Sequence, residues 1–197
     1  MWEERYATDD YVFGKAPARF LTEHQALLRP GLTALSVAEG EGRNAVYMAQ
    51  QGVQVTGLEF APSALAKAQT LAQEAGVQVD FRNADVLNYD WPQQYDLVLG
   101  IFIQFVGPAD RAILFDGMKR AVRPGGRIVL HGYTPEQLRH GTGGPPFAQN
   151  MYSADQLAAD FAGWQIEENT AYEREVQEGR GHTGLSALID FIARKPE

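Results

Sequence analysis

The chain has 197 residues, of which 45% are hydrophobic and 21% are charged, and this length and composition fit a single globular domain over residues 1–197. Its formal net charge of −8, without any run of Lys and Arg, argues against nucleic acid as a partner. Cysteine is absent, which excludes disulfide bonds, thiolate metal sites and cysteine nucleophiles.

The sequence also lacks the patterns of targeting and membrane segments. It does not start with a basic and then apolar signal pattern, and no run approaches the roughly 18 apolar residues of a membrane span. We therefore expect a cytoplasmic protein that has no membrane partner and binds no metal.

The first elements lead to a glycine-rich turn. Residues 1–15 contain Trp2, Tyr6, Tyr11 and Phe13 without a clear period, which indicates a partly ordered arm. A helix is predicted over residues 16–28, before Pro30 and Gly31. The apolar run 32–38 predicts a buried strand, and residues 43–51 have helical spacing until Gly52.

The alternation of strands and helices then repeats. Strands are predicted over residues 53–60, 77–85, 95–103 and 127–133, and helices over residues 61–76 and 109–126. Strands that alternate with helices of this length indicate crossover connections and a parallel sheet.

This alternation ends after Tyr133. Residues 134–150 carry three Gly and three Pro, which predicts a long loop of a functional kind. An ordered element is predicted again over residues 152–163. The tail then predicts a terminal hairpin, with strands at 164–176 and 185–195 joined by a turn at 177–184.

The stretch Gly40-Glu41-Gly42-Arg43-Asn44-Ala45 has the G-x-G-x-x-G/A spacing of a nucleotide-binding turn, placed between a strand and a helix. Dinucleotide enzymes use such a turn for a diphosphate. Here Glu39 and Glu41 would lie beside that diphosphate, and like charges at ~4 Å cost about 1 to 4 kcal/mol. A ligand that carries positive charge fits this turn better.

This order of motifs resembles a class I S-adenosylmethionine-dependent methyltransferase, and Gly42-Arg43-Asn44 resembles the small tellurite-resistance and thiopurine-type branch. The resemblance covers roughly residues 32–133. Ser36 stands where the family usually has its first acid, and Ala38 where it has its first glycine. Glu39 is therefore expected to take over the contact with the methionine amino group.

The resemblance implies a Rossmann-like α/β fold: one doubly wound, mostly parallel sheet of seven strands, with an antiparallel strand in the C-terminal hairpin and helices on both faces. It implies that Glu59 accepts hydrogen bonds from the ribose hydroxyls and that Asp85 accepts one from the adenine amino group. It also implies that the end of the fourth strand, at Gly100, Ile101 and Phe102, lies under the reactive methyl group. The residues expected to bind S-adenosyl-L-methionine are Glu39, Gly40, Gly42, Arg43, Asn44, Glu59, Phe60, Asp85, Val86 and Ile101.

Methyl transfer from a sulfonium is an in-line displacement, so the protein chiefly positions a small-molecule acceptor. By resemblance, residues 1–30 form an arm and helix that cap the cofactor, and residues 134–152 form a loop on the substrate side. His182 and Tyr133 are the candidate catalytic residues, although a histidine near a turn is also commonly structural. The candidate substrate residues are Tyr11, His131, Tyr152, Arg174 and Arg180.

Other functions remain open at this point. No "NPPY"-like element follows the fourth strand, which disfavours methylation of a DNA base. Gly40, Gly42, Ala45 and Glu59 also fit an NAD(P)-dependent oxidoreductase, and a module that binds S-adenosylmethionine without chemistry would show the same turn. The expected assembly is a monomer.

Overall fold

The computed structural model describes residues 2–197, and its backbone alternates strands with helices as far as Tyr133. The strands are β1 (Thr33–Val37), β2 (Gln54–Glu59), β3 (Asp80–Asn83), β4 (Tyr95–Ile101), β5 (Val122–Tyr133), β6 (Gln165–Glu178) and β7 (His182–Arg194). The helices are α1 (Trp2–Tyr6), α2 (Arg19–Glu23), α3 (Arg43–Gln50), α4 (Pro62–Glu74), α5 (Pro108–Ala121) and α6 (Ala154–Asp160). Short 3-10 helices cover Gln25–Leu27, Pro135–Arg139 and Ala148–Asn150.

The seven strands form one sheet in the order β3-β2-β1-β4-β5-β7-β6. β1, β2 and β3 pair in parallel, as do β4 and β5, whereas β7 runs antiparallel to β5. The predicted fold class, a Rossmann-like α/β sheet with an antiparallel C-terminal hairpin, is confirmed.

By their internal contacts the residues fall into two compact units. The first contains the chain up to Tyr89 together with Glu178–Gly181, and the second contains Asp90–Gln177 and His182–Glu197. The assignment of residues 1–197 to a single domain stays a prediction.

The first unit contains the β3-β2-β1 part of the sheet with α3 and α4. β1 is buried from Ala34 to Val37 because its side chains are apolar or small. Pro62 occupies the first turn of α4, where its fixed φ suits the helix and its missing N–H costs nothing. Gly76, with φ 67°, follows the end of that helix.

The second unit contains β4, β5, β7 and most of β6. Every residue of β4 is buried, in line with its apolar sequence. β5 and β7 pair over seven residues with His131 directly opposite Asp190. The register of this pair decides which side chains of the two strands lie next to each other.

Two predicted helices differ in extent. The helix expected over residues 16–28 is limited to α2 and a 3-10 turn, because the backbone of His24, with φ −105° and ψ 26°, leaves the α-helical conformation. The helix expected over residues 109–126 ends at Ala121, because Val122 has an extended backbone that starts β5. The helices of the described residues lack the length and apolar character needed to cross a bilayer.

Candidate functional site

The glycine turn follows β1 through a series of left-handed backbone conformations. The φ angles are 49° at Ala38, 68° at Gly40 and 90° at Gly42. A Cβ atom on Gly42 would lie 2.8 Å from Cα of Ala68, so α4 packs too closely for any other residue. Ala38 adopts the left-handed conformation despite its Cβ, which costs roughly 1 kcal/mol or more.

Glu39 is buried against the start of α3. Its Oε1 accepts hydrogen bonds from the backbone N–H groups of Ala45 at 2.8 Å and Asn44 at 3.1 Å, and its Oε2 accepts one from the Ser36 hydroxyl. Burial raises the pKa of Glu39 to about 7, against the opposing effect of these hydrogen bonds and of Arg43. The carboxyl group is therefore held in place but is costly to charge without a cation.

Glu59, at the end of β2, is the second buried carboxyl group of this unit. Its two oxygens each accept one backbone hydrogen bond of 2.8 Å, from Gly40 and from Ala61. Burial raises the pKa of Glu59. Because a carboxylate oxygen can accept two hydrogen bonds, the group retains the capacity to accept two hydroxyls of a ligand.

Glu41 has a different role from the one its sequence position indicates. Its carboxylate accepts hydrogen bonds from the Lys67 ammonium at 2.7 Å and from the backbone N–H of Val12 at 2.8 Å. Glu41 therefore holds the N-terminal arm, and Lys67 neutralises its charge. The expectation that Glu41 would repel a bound diphosphate is therefore wrong, and in the described part of the chain the buried carboxyl groups at the turn that lack such a cation partner are Glu39 and Glu59.

Arg43 and Asn44 also hold the N-terminal segment. Arg43 forms a buried ion pair with Glu178 at 2.8 Å, and the Asn44 side-chain oxygen accepts a hydrogen bond from the backbone N–H of Ala18. Tyr6 of α1 is buried with Ala61 and Ala64, and its hydroxyl lies beside Gly40. Residues of the segment 1–30 thus lie over the glycine turn, and its role as a cofactor cap stays a prediction.

The remaining cofactor candidates lie at strand ends. Phe60 follows β2 and is 65% exposed, and Val86 is buried. Asp85 is exposed and accepts hydrogen bonds from the backbone N–H of Leu87 and the side chain of Asn88. Ile101 is the last residue of β4 in the second unit, where it is 9% exposed.

The second unit brings the two candidate catalytic residues together. The Tyr133 hydroxyl lies 2.5 Å from Nδ1 of His182, and both side chains are buried. The ring of Phe102 stacks on the His182 imidazole at 4.1 Å. Phe102 has a φ of 57°, a left-handed conformation that is strained in a non-glycine residue, and strained residues of this kind cluster at functional sites.

His131, a candidate substrate residue, belongs to the same cluster. Its Nδ1 lies 2.6 Å from Oδ1 of Asp190, and the Tyr172 hydroxyl donates to that oxygen at 3.0 Å. The Phe102 ring contacts the His131 imidazole edge-on at 4.7 Å. Phe102 therefore has an imidazole on each of two sides.

The other substrate candidates are spread over both units. Tyr152 is 1% exposed and packs against Phe115 in the core. Arg174 lies over the Tyr172 ring at 4.7 Å. In the first unit, the Tyr11 hydroxyl donates to the Lys67 carbonyl oxygen, and Arg180 is an exposed partner of Asp10. Their roles toward a substrate stay predictions.

Three residues at these sites were not predicted as site residues from the sequence: Tyr6, Tyr172 and Asp190. Phe102 was expected at the end of the fourth strand, but no residue type in its neighbourhood predicts its left-handed backbone. Asp190 lies in an apolar strand, and this interruption of the apolar pattern was the one available signal.

Comparison with known proteins finds one matching family model and solved structures of similar fold. Residues 34–126 match the family described as a methyltransferase domain. The ubiquinone biosynthesis O-methyltransferase of Pseudomonas paraeruginosa is 35% identical over 102 residues, which cover 51% of this chain and 44% of that protein. The chain thus spans less than half of the length of this curated relative.

Solved structures show the likeness over a longer stretch. The N-methyltransferase NodS from Bradyrhizobium japonicum, in complex with S-adenosyl-L-homocysteine, has a TM-score of 0.75 at 15% identity, covering 100% of this chain and 97% of NodS. TehB from Haemophilus influenzae has a TM-score of 0.73 at 16% identity, covering 98% of this chain and 65% of TehB. At 15% and 16% sequence identity, these similarities show a shared fold and no more.

Proposed function

We propose that this chain is an S-adenosylmethionine-dependent methyltransferase that acts on a small-molecule acceptor. The methyltransferase-domain match over residues 34–126 and the fold support it. The observation that carries the proposal is the pair of buried carboxyl groups, Glu39 and Glu59, on either side of the glycine turn.

The residues of the first unit fit this cofactor. Glu59 is fixed by two backbone N–H groups in a way that leaves it able to accept from two ribose hydroxyls. Glu39 offers a carboxyl group to an ammonium, and Asp85 offers one to an amino group at the exposed end of β3. When bound, S-adenosylmethionine supplies an activated methyl group on a positively charged sulfur.

The other residues proposed to contact the cofactor lie in the glycine turn and at the ends of strands. Gly40 and Gly42 allow close approach of the backbone, while Phe60, Val86 and Ile101 supply apolar surface. Arg43 and Asn44 contribute by holding the N-terminal segment over the turn. The Gly42-Arg43-Asn44 turn and the similarity of fold to TehB support placement near the tellurite-resistance and thiopurine-type branch.

The second unit supplies the acceptor side in this proposal. His182 and Tyr133 are hydrogen-bonded to each other and would orient the nucleophilic atom of the acceptor. The protein otherwise needs no covalent intermediate, because alignment of the nucleophile with the carbon–sulfur bond is sufficient for displacement. The proposed partners are a small molecule and no nucleic acid, and the proposed location is the cytoplasm.

Ligand binding measured by calorimetry tests the cofactor. We expect S-adenosylhomocysteine to bind and NADH not to bind, since a diphosphate would face buried carboxyl groups. Glu59→Gln should weaken S-adenosylhomocysteine binding by about 1.5 to 3 kcal/mol, because the charged carboxylate that accepts hydrogen bonds from the ribose hydroxyls is replaced by a neutral amide. Glu74→Gln, an exposed acid on α4, is the matched control and should leave affinity unchanged.

Two results would contradict the proposal: binding of NADH alone, or equal affinity of the wild-type protein and Glu59→Gln. A panel of small hydroxyl compounds, thiols, amines, tellurite and selenite then separates an enzyme from a binding module. An enzyme forms S-adenosylhomocysteine with at least one compound, whereas a module forms none.

A further inference from the structure

The first unit contains a buried tyrosine hydroxyl to which no role has yet been given. Tyr6 is 6% exposed, and among residues 2–197 its hydroxyl forms no hydrogen bond. A buried tyrosine hydroxyl usually has a partner, because its removal from water otherwise costs free energy. In the described part of the chain this oxygen is not one of the unpaired polar atoms that are sealed from solvent, so it borders open space. The hydroxyl is therefore available to a ligand.

Aromatic and apolar neighbours fix the position of the Tyr6 ring. The ring stacks on Trp2, with 5.6 Å between the ring centres, and meets the Phe13 ring edge-on at 6.4 Å. It also belongs to a buried cluster with Ala61 and Ala64, which lie at the start of α4. Because these contacts involve only the ring, the place of the hydroxyl is defined without using its capacity for hydrogen bonds.

Helix α1, which carries Tyr6, is itself bonded to α4. The Glu3 carboxylate accepts a hydrogen bond from the backbone N–H of Ser63 at 3.1 Å and another from the Ser63 hydroxyl. Ser63 lies in the first turn of α4, where backbone N–H groups have no partner within the helix. The Ser63 hydrogen bonds lower the pKa of Glu3. This contact holds α1 at the position that brings Tyr6 to the glycine turn.

The Tyr6 hydroxyl and the Glu59 carboxylate both lie next to Gly40. A Cβ atom on Gly40 would lie 3.0 Å from the Tyr6 hydroxyl oxygen, and the N–H of Gly40 donates to Oε2 of Glu59 at 2.8 Å. Across the described residues no hydrogen bond joins the hydroxyl directly to the carboxylate. A donor and an acceptor with unused capacity thus flank one glycine, whose missing side chain leaves room beside the hydroxyl.

The charges around the hydroxyl determine which ligand group it can bind. Burial raises the pKa of Tyr6, and the negative charges of Glu59 and Glu41 raise it further. Arg5 opposes this effect, and Glu39 adds to it. The hydroxyl therefore keeps its proton and acts as a donor. Because the same carboxylates repel an anionic acceptor, a neutral oxygen is the suitable partner. A sugar hydroxyl is such an oxygen, and its own proton can be donated to a carboxylate.

We propose that Tyr6 is a specificity-determining residue for the ribose of the cofactor: its O–H donates to one ribose hydroxyl oxygen, and that hydroxyl donates its own proton to Glu59. This inference rests on the proposed methyltransferase function and adds a residue to its cofactor site. Tyr6, Gly40 and Glu59 all belong to the first unit. Because one ribose hydroxyl is bound both as acceptor and as donor, the two side chains select a ribose over a deoxyribose.

The substitution Tyr6→Phe separates ligand recognition from packing. It removes the hydroxyl and keeps the ring contacts with Trp2 and Phe13. Without ligand, we expect the urea unfolding midpoint of Tyr6→Phe to equal or exceed that of the wild-type protein, because a buried hydroxyl without a partner is removed. S-adenosylhomocysteine should nevertheless bind the variant about three to ten times more weakly, since one neutral hydrogen bond to the ligand is lost.

Two analogues of S-adenosylhomocysteine, one without the 2′-hydroxyl and one without the 3′-hydroxyl, locate the contact by calorimetry. We expect the wild-type protein and Tyr6→Phe to bind one of these analogues with equal affinity, because the acceptor for the Tyr6 hydroxyl is missing from it. The weakening should persist with the other analogue. Tyr47→Phe, which removes a hydroxyl from α3 of the same unit, is the matched control and should leave all three affinities unchanged.

Equal affinity of Tyr6→Phe and the wild-type protein for S-adenosylhomocysteine would overturn this inference. The same weakening with S-adenosylhomocysteine and with both deoxy analogues would overturn it too, because the hydroxyl would then act elsewhere than on the ribose. A lowered unfolding midpoint of ligand-free Tyr6→Phe would show a structural role instead. If the wild-type protein bound no S-adenosylhomocysteine, the proposed function itself would fail, so the two failures are distinguishable.

Discussion

Glu39 is the residue at which burial and charge oppose each other most clearly. The residue is 7% exposed, and its carboxyl group is hydrogen-bonded to Ser36 and to the first N–H groups of α3. Burial raises the pKa of this carboxyl group from 4.5 to about 7. Between these two values the folded protein holds a proton that the unfolded chain has released. Stability linked to Glu39 therefore falls as pH rises from 4.5 to about 7.

Replacement of Glu39 by Gln should remove this pH dependence. The amide keeps the shape and can both accept from the α3 N–H groups and donate to Ser36. We expect Glu39→Gln to match the wild-type protein in unfolding free energy near pH 4.5 and to exceed it above pH 7, by at most roughly 3 kcal/mol. Urea unfolding across this pH range measures the difference.

Glu74→Gln is again the control, because that carboxyl group is exposed. A difference between Glu39→Gln and wild type that stayed constant from pH 4.5 to pH 8 would refute this account of the buried carboxyl group. Because an ammonium favours the charged form of Glu39, bound S-adenosylhomocysteine should reduce the difference above pH 7.

The elements of the first unit are tied to the N-terminal arm by hydrogen bonds and an ion pair that the sequence alone did not predict. Val12 donates its N–H to Glu41 and accepts at its carbonyl oxygen from the N–H of Arg180. Arg43 pairs with Glu178, whose other oxygen accepts from the N–H of Arg19. The arm is thus held between the glycine turn and the turn of the C-terminal hairpin.

Arg43→Met should therefore destabilise the protein strongly. It leaves Glu178, with a side chain 10% exposed, without its cation, and such a loss typically costs about 3 to 5 kcal/mol. Adding Glu178→Gln should restore a large part of this, because the uncompensated charge is removed. Chemical denaturation of the two single variants and the double variant measures the coupling.

The exposed ion pair Arg19–Glu23 is the control for these Arg43 and Glu178 variants. Arg19→Met should cost less than about 1 kcal/mol, as exposed pairs do. If Arg43→Met cost no more than Arg19→Met, the buried pair would not be what holds the arm.

The strands and the glycine turn could be predicted because their signals are local. Apolar runs mark β1 and β4, and Gly40 and Gly42 mark the turn that follows β1. The pairing of His131 with Asp190 could not be predicted, although both strands were, because it depends on the register of β5 and β7 across 59 residues. A slip of one residue would place Asp190 on the opposite face of the sheet.

The same limit applies to Glu41 and Phe102. The position of Glu41 in the turn suggested a contact with a ligand, yet the direction of its side chain is set by Lys67 and Val12, which are distant in sequence. The φ of Phe102 is imposed by packing in the second unit, and the sequence around it has an ordinary apolar character. Long-range packing decided the details of both sites.

At the scale of the whole molecule, β6 is the last strand in the order of the sheet. Its outer edge could pair with the edge of a second copy of the chain. Of its 14 residues several are charged and exposed, including Glu173 and Glu175, two positions apart on the same face. Charged side chains on an edge strand oppose pairing with a second copy, because like charges would meet across the new ladder.

We therefore predict that the protein sediments as a monomer of 21.8 kDa, in keeping with its net charge of −8. The double substitution Glu173→Thr and Glu175→Thr should promote self-association through this edge, since threonine favours strands and carries no charge. Asp110→Asn with Asp116→Asn removes the same charge from α5 and should leave the protein monomeric. Sedimentation velocity over a hundredfold range of concentration distinguishes these cases, and a dimer of the wild-type protein, or equal association of both double variants, would show that the charge on β6 does not control assembly.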